Sequence, residues 1–152
     1  GVAWEQHPQA ADLELRDMAW NGDRLVAVGS MGAGGAIHST RDGIHWVEST
    51  LPEGVSDFDD VTWTGTHFVA VSRSTGDLIF TSPDGISWVS ETTGTGVGPV
   101  SAVGDARDLF VTGRGLKIIR RTESLQGPAL RRSGNRMSPG DDASKIIDRS
   151  VR

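Results

Sequence analysis

Three observations in this 152-residue sequence predict an all-β fold built from repeated four-stranded units. First, Trp4, Trp46 and Trp88 stand on one ruler, each 42 residues from the next. Second, each closes the same short phrase: Gly1-Val2-Ala3-Trp4, Gly43-Ile44-His45-Trp46 and Gly85-Ile86-Ser87-Trp88. Third, the intervening chain is a series of short apolar runs punctuated by Asn-Gly and Asp-Gly turn signals. A period near 42 accommodates four short strands and their turns.

The elements of the first full repeat follow in order. Residues 16–20 read as a first strand, A. Asn21-Gly22 is a tight hairpin signal, because both residues tolerate positive φ. Residues 24–29 form strand B, apolar on both faces, which implies cover on both sides. The Gly-rich stretch 29–35 reads as a long connection to strand C at 36–39. Arg41-Asp42-Gly43 then turns into strand D at 45–48. The second repeat uses the same grammar 42 to 43 residues later. Its strand A is 58–63, Thr64-Gly65-Thr66 the turn, 67–71 strand B and 77–81 strand C. Pro83-Asp84-Gly85 turns into strand D at 87–89. A third repeat is partial, with strands expected at 99–103, 109–112 and 115–120 and no Asp-Gly turn or tryptophan strand after them.

The expected organisation is therefore a repeat region, 1–121, and a tail, 122–152. Within the first lie a lone strand D at 1–6, blades at 13–50 and 56–92, and a partial blade at 97–121. Four strands per repeat imply β-propeller blades, and about three blades are too few for an ordinary closed ring of about 4–8. The chain is then a piece of a larger propeller, an open arc, or half of a ring. In the last case the N-terminal D strand completes the C-terminal three-stranded blade, in the same or a partner chain. The tail carries turn signals at Gly127-Pro128, Ser133-Gly134-Asn135 and Ser138-Pro139-Gly140 and few apolar residues. It is expected to be flexible, with one weak helix over 142–151.

Bulk composition excludes several classes. The formal charge of −5 gives no bulk attraction for nucleic acid. The repeat region holds 16 acids and 9 bases, for −7, and the tail 4 acids and 6 bases, for +2. Arg131-Arg132 and Arg136 are too few to argue otherwise. No apolar run reaches the 18 or so residues of a membrane helix. There is no cysteine, so disulfides and thiolate metal sites are excluded. That fits a cell-surface or periplasmic bacterial protein as well as a cytosolic one, with the extracytoplasmic placement slightly favoured. His7, His38, His45 and His67 show no His-x-x-x-His spacing, so no zinc site is expected. Asp57, Asp59 and Asp60 form an acidic cluster of the kind that holds calcium, but a solvated acidic linker is the preferred reading. The stretch 29–35 lacks the Gly-Lys-Ser/Thr ending of a phosphate loop. No cofactor is expected.

The phrases Ser39-Thr40-Arg41-Asp42-Gly43-Ile44-His45-Trp46 and Thr81-Ser82-Pro83-Asp84-Gly85-Ile86-Ser87-Trp88 resemble the Asp-box, or BNR, repeat. In that family a Ser/Thr…Asp…Gly…Trp hairpin joins the third and fourth strands of a propeller blade. Here Asp and Gly are adjacent, where the usual pattern has one residue between them, which argues against a close sialidase relationship. The resemblance assigns structural roles to Ser39, Asp42, Gly43, Trp46, Thr81, Asp84, Gly85 and Trp88. The chemistry fits: an Asp carboxylate accepts backbone N–H bonds within the turn. Gly takes the positive φ that follows, and Trp buries a large apolar face.

The weak catalytic candidates are Asp17 and Asp60, matched residues three before the strand A tryptophans. Strand A lines the channel of a propeller, and paired carboxylates can serve glycoside hydrolysis. Both repeats carry them, however, and repeated residues usually brace the repeat. Sialidases are Asp-box propellers, and the resemblance would imply a tyrosine nucleophile and an arginine triad. The chain has no tyrosine, and Arg16, Arg24 and Arg107 form no recognisable triad. The expected function is thus a non-enzymatic binding or scaffold module. It would recognise a glycan or a protein at the channel mouth and on the loops 30–35, 52–59 and 73–76, with self-association completing a ring. The alternative is a fragment of an Asp-box glycoside hydrolase. A third reading is an assembly factor, because photosystem assembly proteins use related propellers.

Overall fold

A computed structural model describes residues 1, 3, 4, 12–51, 54–96, 98–115 and 117–122. Eleven strands form three antiparallel sheets, and there is no helix among the described residues. The first blade is β1 (Leu13–Trp20), β2 (Leu25–Met31), β3 (Gly34–Thr40) and β4 (Val47–Glu48), in that spatial order. The second is β5 (Asp60–Trp63), β6 (Phe68–Val71), β7 (Leu78–Ser82) and β8 (Val89–Thr92). The third has three strands: β9 (Pro99–Gly104), β10 (Asp108–Gly113) and β11 (Lys117–Thr122). These are propeller blades in an open arc. The innermost strands lie side by side, β1 against β5 and β5 against β9. The expected helix and most of the tail lie outside the described residues. Of the expected N-terminal strand, only Gly1, Ala3 and Trp4 are described, none of them in a strand, and Trp4 is 96% exposed.

The hydrophobic core sits between blades. One cluster joins Ala19, Val26, Val28 and Ile37 of the first blade to Val61, Phe68, Ala70, Phe80 and Trp88 of the second. A second joins Val69, Val71 and Ile79 to Ala102, Leu109 and Val111 of the third. Position in the arc sets the burial pattern. The β6 residues Phe68, Val69, Ala70 and Val71 are all buried, because both faces of the middle blade are covered. In β10 burial alternates, Leu109 and Val111 in and Phe110 and Thr112 out, because one face has no neighbour.

Two connections differ from the sequence expectation. The Gly-rich stretch 29–35 is no long loop: Met31 pairs with Gly34 across a two-residue turn, and Gly35 belongs to β3. Its glycine serves close approach. The Gly35 N–H bonds to the Val55 carbonyl at 2.8 Å, and a Cβ there would meet Val55 at 2.9 Å and Phe58 at 3.0 Å. Phe58, expected to begin strand A, instead lies before β5. It is fully buried, packs edge-on against Phe80 and bonds through its N–H to the Gly29 carbonyl. The connector between the first two blades is thereby stitched to β2 and β3.

The hairpins between first and second strands repeat three times. Asn21, Thr64 and Asp105 each place a side-chain oxygen on the amide three residues on: Arg24 at 2.7 Å, His67 at 3.2 Å and Asp108 at 2.9 Å. Each also closes the turn through its own N–H. This is the Asx or Ser/Thr turn chemistry expected of these side chains.

Candidate functional site

In a four-stranded meander the first and third turns fall at one end of the blade, and the second turn and exit connection at the other. The Asp-Gly turns therefore share an end with the Asn21, Thr64 and Asp105 turns. The loops singled out from the sequence, 30–35, 52–59 and 73–76, gather at the opposite rim, with Pro52 and Glu53 outside the described residues.

The two Asp-Gly turns share four side-chain bonds. Asp42 Oδ1 accepts the amides of Ile44 and His45 at 2.9 and 2.8 Å, and Asp84 Oδ1 those of Ile86 and Ser87, both at 2.9 Å. The hydroxyls that tie the turns are Thr40 and Ser82, not the expected Ser39 and Thr81. Each donates to its aspartate at 3.0 Å and accepts the glycine amide, Gly43 at 3.0 Å and Gly85 at 2.8 Å. The reason is strand alternation: one residue back, a side chain points to the other face. There Ser39 Oγ accepts from Arg24 at 3.1 Å, and Thr81 donates to Glu91 at 2.8 Å. Both aspartates are held below the ordinary carboxylate range. For Asp42 the first cause is His45, whose Nδ1 lies 2.7 Å from Oδ2; for Asp84 it is the Ser87 amide.

The surroundings of the turns differ. Trp46 is half-buried and donates its indole N–H to the Gly43 carbonyl at 3.2 Å. Trp88 is 8% exposed within the core between the first two blades, and its buried Nε1 has no hydrogen-bond partner. The Gly85 carbonyl accepts instead from Ser49 Oγ at 3.4 Å, beside a parallel bridge between Thr50 and Ser87. The second turn is thus wedged against the first blade.

Asp17 and Asp60 are brought together on the inner strands. Asp17 Oδ2 accepts the Val61 amide of the second blade at 2.8 Å. Asp60 Oδ2 accepts the Ala102 amide at 2.6 Å and the Ser101 hydroxyl at 2.9 Å, both of the third. Each carboxylate is a link from one blade's first strand to the next. Burial, and then the neighbouring Asp17 carboxyl, push the Asp60 carboxyl up from its ordinary value. A half-buried carboxyl beside a second one holds its proton more tightly than a solvated carboxyl does.

The acidic cluster is not a solvated linker. Asp57 accepts from Arg16 at 3.0 Å and from Ser72 at 3.1 Å. Asp59 pairs with Arg73 through Nε at 2.9 Å and the Arg73 amide at 2.8 Å, with Arg16 3.5 Å away. Asp60 turns inward to the inter-blade link instead. Among the described residues no group of three or more His, Asp or Glu is placed to hold a metal ion. The sequence signal for this network was the charge-balanced pair Arg16 and Arg73, which adjacency alone does not connect to residues 57 and 59.

The same rim carries two concave surfaces. One, of about 440 Å³, lies between the second and third blades and is lined by Arg73, Gly76, Asp77, Gly96, Gly98 and Arg114. The other, of about 280 Å³, includes Gly54, Val55, Ser74, Thr75, Leu78 and Phe80. Neither includes Asp17 or Asp60. Compared with known protein families and with curated proteins, the chain matches none.

Proposed function

We propose that this chain is a propeller module of the Asp-box type that binds a glycan or a protein without transforming it, and that the ligand sits on the rim opposite the Asp-Gly turns. The observation that carries this reading is the 440 Å³ concavity between two blades, with Arg73 and Arg114 on its wall. Volumes in that range suit small ligands or a single side-chain cluster. The guanidinium of Arg114 favours an acidic group on the ligand, a uronic or sialic carboxylate or an acidic protein loop. The glycines on the wall let a ligand approach the backbone closely.

The test is a binding screen of the chain against neutral and acidic glycans, repeated with Arg114→Ala and, at the opposite end, Asp42→Asn. Binding of an acidic ligand that falls tenfold or more in the first variant and is unchanged in the second supports the reading. Equal binding by both sets the ligand elsewhere. A second reading, glycoside hydrolysis, is favoured by the raised Asp60 carboxyl beside Asp17. It requires turnover of aryl glycosides that disappears in both Asp17→Asn and Asp60→Asn.

A further inference from the structure

The two blades that carry an Asp-Gly turn differ in the charge around it. Strand register places Arg24 and His67 in one position, each just before the residue that pairs with the strand A tryptophan, Leu25 with Trp20 and Phe68 with Trp63. By the same register Ser39 corresponds to Thr81, and along the turn Arg41 corresponds to Pro83 and His45 to Ser87. The first blade therefore has two arginines and a histidine where the second has a histidine, a proline and a serine. Both blades make the same turn bonds, so the turn itself does not account for the basic residues. In the first blade they meet: Arg24, Arg41 and His45 line one concavity of about 240 Å³, with Ser39 and Asp42 also on its wall.

Arg24 is the fixed member of the group. It is part-buried, and its stem lies against the second-blade turn, with Cδ 3.1 Å from where a Cβ on Gly85 would stand. Among the described residues its guanidinium makes one hydrogen bond, from Nη1 to Ser39 Oγ at 3.1 Å, and no carboxylate pairs with it. A guanidinium carries about five N–H donors, so most of them are left for a ligand. In the second blade the same place is acidic instead, because Thr81 donates to Glu91. The carboxylate on the first-blade wall is turned away from the concavity. Asp42 Oδ1 accepts the Thr40 hydroxyl and the Ile44 and His45 amides, and Oδ2 lies 2.7 Å from His45 Nδ1. That contact orients the imidazole and leaves Nε2 for a ligand. Arg41 uses Nε on Asp23 at 3.0 Å, in a pair exposed on both sides. Such pairs hold little, and the terminal nitrogens of Arg41 remain.

We propose that this concavity binds a phosphate or sulfate group, free or esterified to a small alcohol. A tetrahedral oxyanion presents three or more acceptor oxygens in different directions, and here the donors come from three separate side chains. A planar carboxylate is satisfied by one guanidinium fork and would leave two of the three unused. The part-buried setting of Arg24 screens its charge less than open water would. At about 30 Å³ for a water, the 240 Å³ is more than a bare oxyanion fills, so a small ester group has room. The site lies at the end of the blades opposite Arg73 and Arg114 and stands apart from what the rim binds.

The test is a titration of the chain with inorganic phosphate, inorganic sulfate, glycerol phosphate and acetate at constant ionic strength, read from backbone amide shifts by heteronuclear NMR. The phosphate and sulfate ions should shift the Arg24, Ile44 and His45 amides saturably, and acetate should bind more weakly. Arg24→Gln should weaken phosphate by about tenfold or more, and His45→Ser by less. Arg114→Ala should leave it unchanged. Glycerol phosphate tighter than the inorganic ion assigns the site to a monoester; equal affinity assigns it to the free ion. No saturable shift with phosphate or sulfate overturns the proposal, as does parent affinity in Arg24→Gln. Acetate as tight as phosphate overturns the choice of a tetrahedral group. His45 is exposed, and Ser87 serves the equivalent turn. His45→Ser therefore carries the test if Arg24→Gln does not fold, and parent affinity in it overturns the site.

Discussion

The Asp-Gly turn of the first blade and that of the second have the same backbone, the same four side-chain bonds and almost the same sequence, yet they do different work. A Cβ added at Gly43 would meet nothing within 4 Å. At Gly85 it would lie 2.6 Å from Val26, 3.1 Å from Arg24 and 3.2 Å from Phe68. The first turn is a free-standing hairpin. The second is a wedge that joins two blades and carries Trp88 into their core. The turn's local chemistry is therefore autonomous, and its contribution to tertiary structure depends on what packs against it. In a repeat architecture, stability is roughly a sum of repeat and nearest-neighbour terms, and these two turns separate the terms within one molecule.

The sharpest way to break that contrast is at the tryptophans. Trp88→Ala should cost about 3–5 kcal/mol in urea unfolding, as expected for a large aromatic lost from a core. Trp46→Ala should cost roughly a third as much, since its ring is half exposed. Equal losses would mean that the second turn is no wedge.

Next in size are the glycines. Gly43→Ala places a Cβ on a residue with φ of 75° and should cost about 1–2 kcal/mol from the left-handed backbone alone. Gly85→Ala, at φ of 71°, adds overpacking against Val26 and should cost roughly 2–4 kcal/mol. Thermal melts of the pair check the difference; matched losses would remove the close approach as a cause.

A smaller effect is expected at the aspartates. Asp84→Ala leaves the Ile86 and Ser87 amides without their acceptor and should cost about 1–2 kcal/mol. Asp42→Ala loses the equivalent bonds in an open setting, where water can replace them, so its loss should be the lesser of the two. Both carboxyls are depressed in the folded protein. Their contribution is complete above the unfolded value of 3.8 and is lost as pH falls toward the folded value. Acid unfolding should accordingly begin below about pH 4, and more gently in Asp84→Ala.

What the sequence disclosed of this molecule was its periodicity. A 42-residue ruler and a repeated Asp-Gly-x-x-Trp phrase were enough for strand order, blade number and turn chemistry, because these depend on local residue types. What it hid depends on neighbours. Thr40 and Ser39 are adjacent hydroxyls, and only the strand's alternation decides which reaches Asp42. Gly35 reads as loop until Phe58, 23 residues on, is found against it. Asp57 and Asp59 read as free acids until Arg16 arrives from β1 and Arg73 from the turn after β6. Asp17 and Asp60 were legible as a repeated pair, but not as links whose oxygens lie on the next blade's amides.

Those links sharpen the comparison one step further, because their titration runs opposite to that of the turns. Asp60 is raised, so the folded state holds its proton more tightly than the unfolded chain. Its contribution is therefore present below 3.8 and is lost as pH rises through the folded value, the reverse of Asp84. Asp60→Asn keeps a carbonyl oxygen for the Ala102 amide and the Ser101 hydroxyl and offers an N–H to Asp17. At neutral pH it should lie within about 1 kcal/mol of the parent. Relative to the parent it should gain stability as pH rises from 3 to 7, because it no longer carries a carboxyl that ionises at a cost beside Asp17. Urea unfolding of the two proteins at both ends of that range decides it. A difference independent of pH would mean that the inter-blade carboxyl ionises as readily in the folded protein as in the unfolded chain, and that burial beside Asp17 does not oppose its charge.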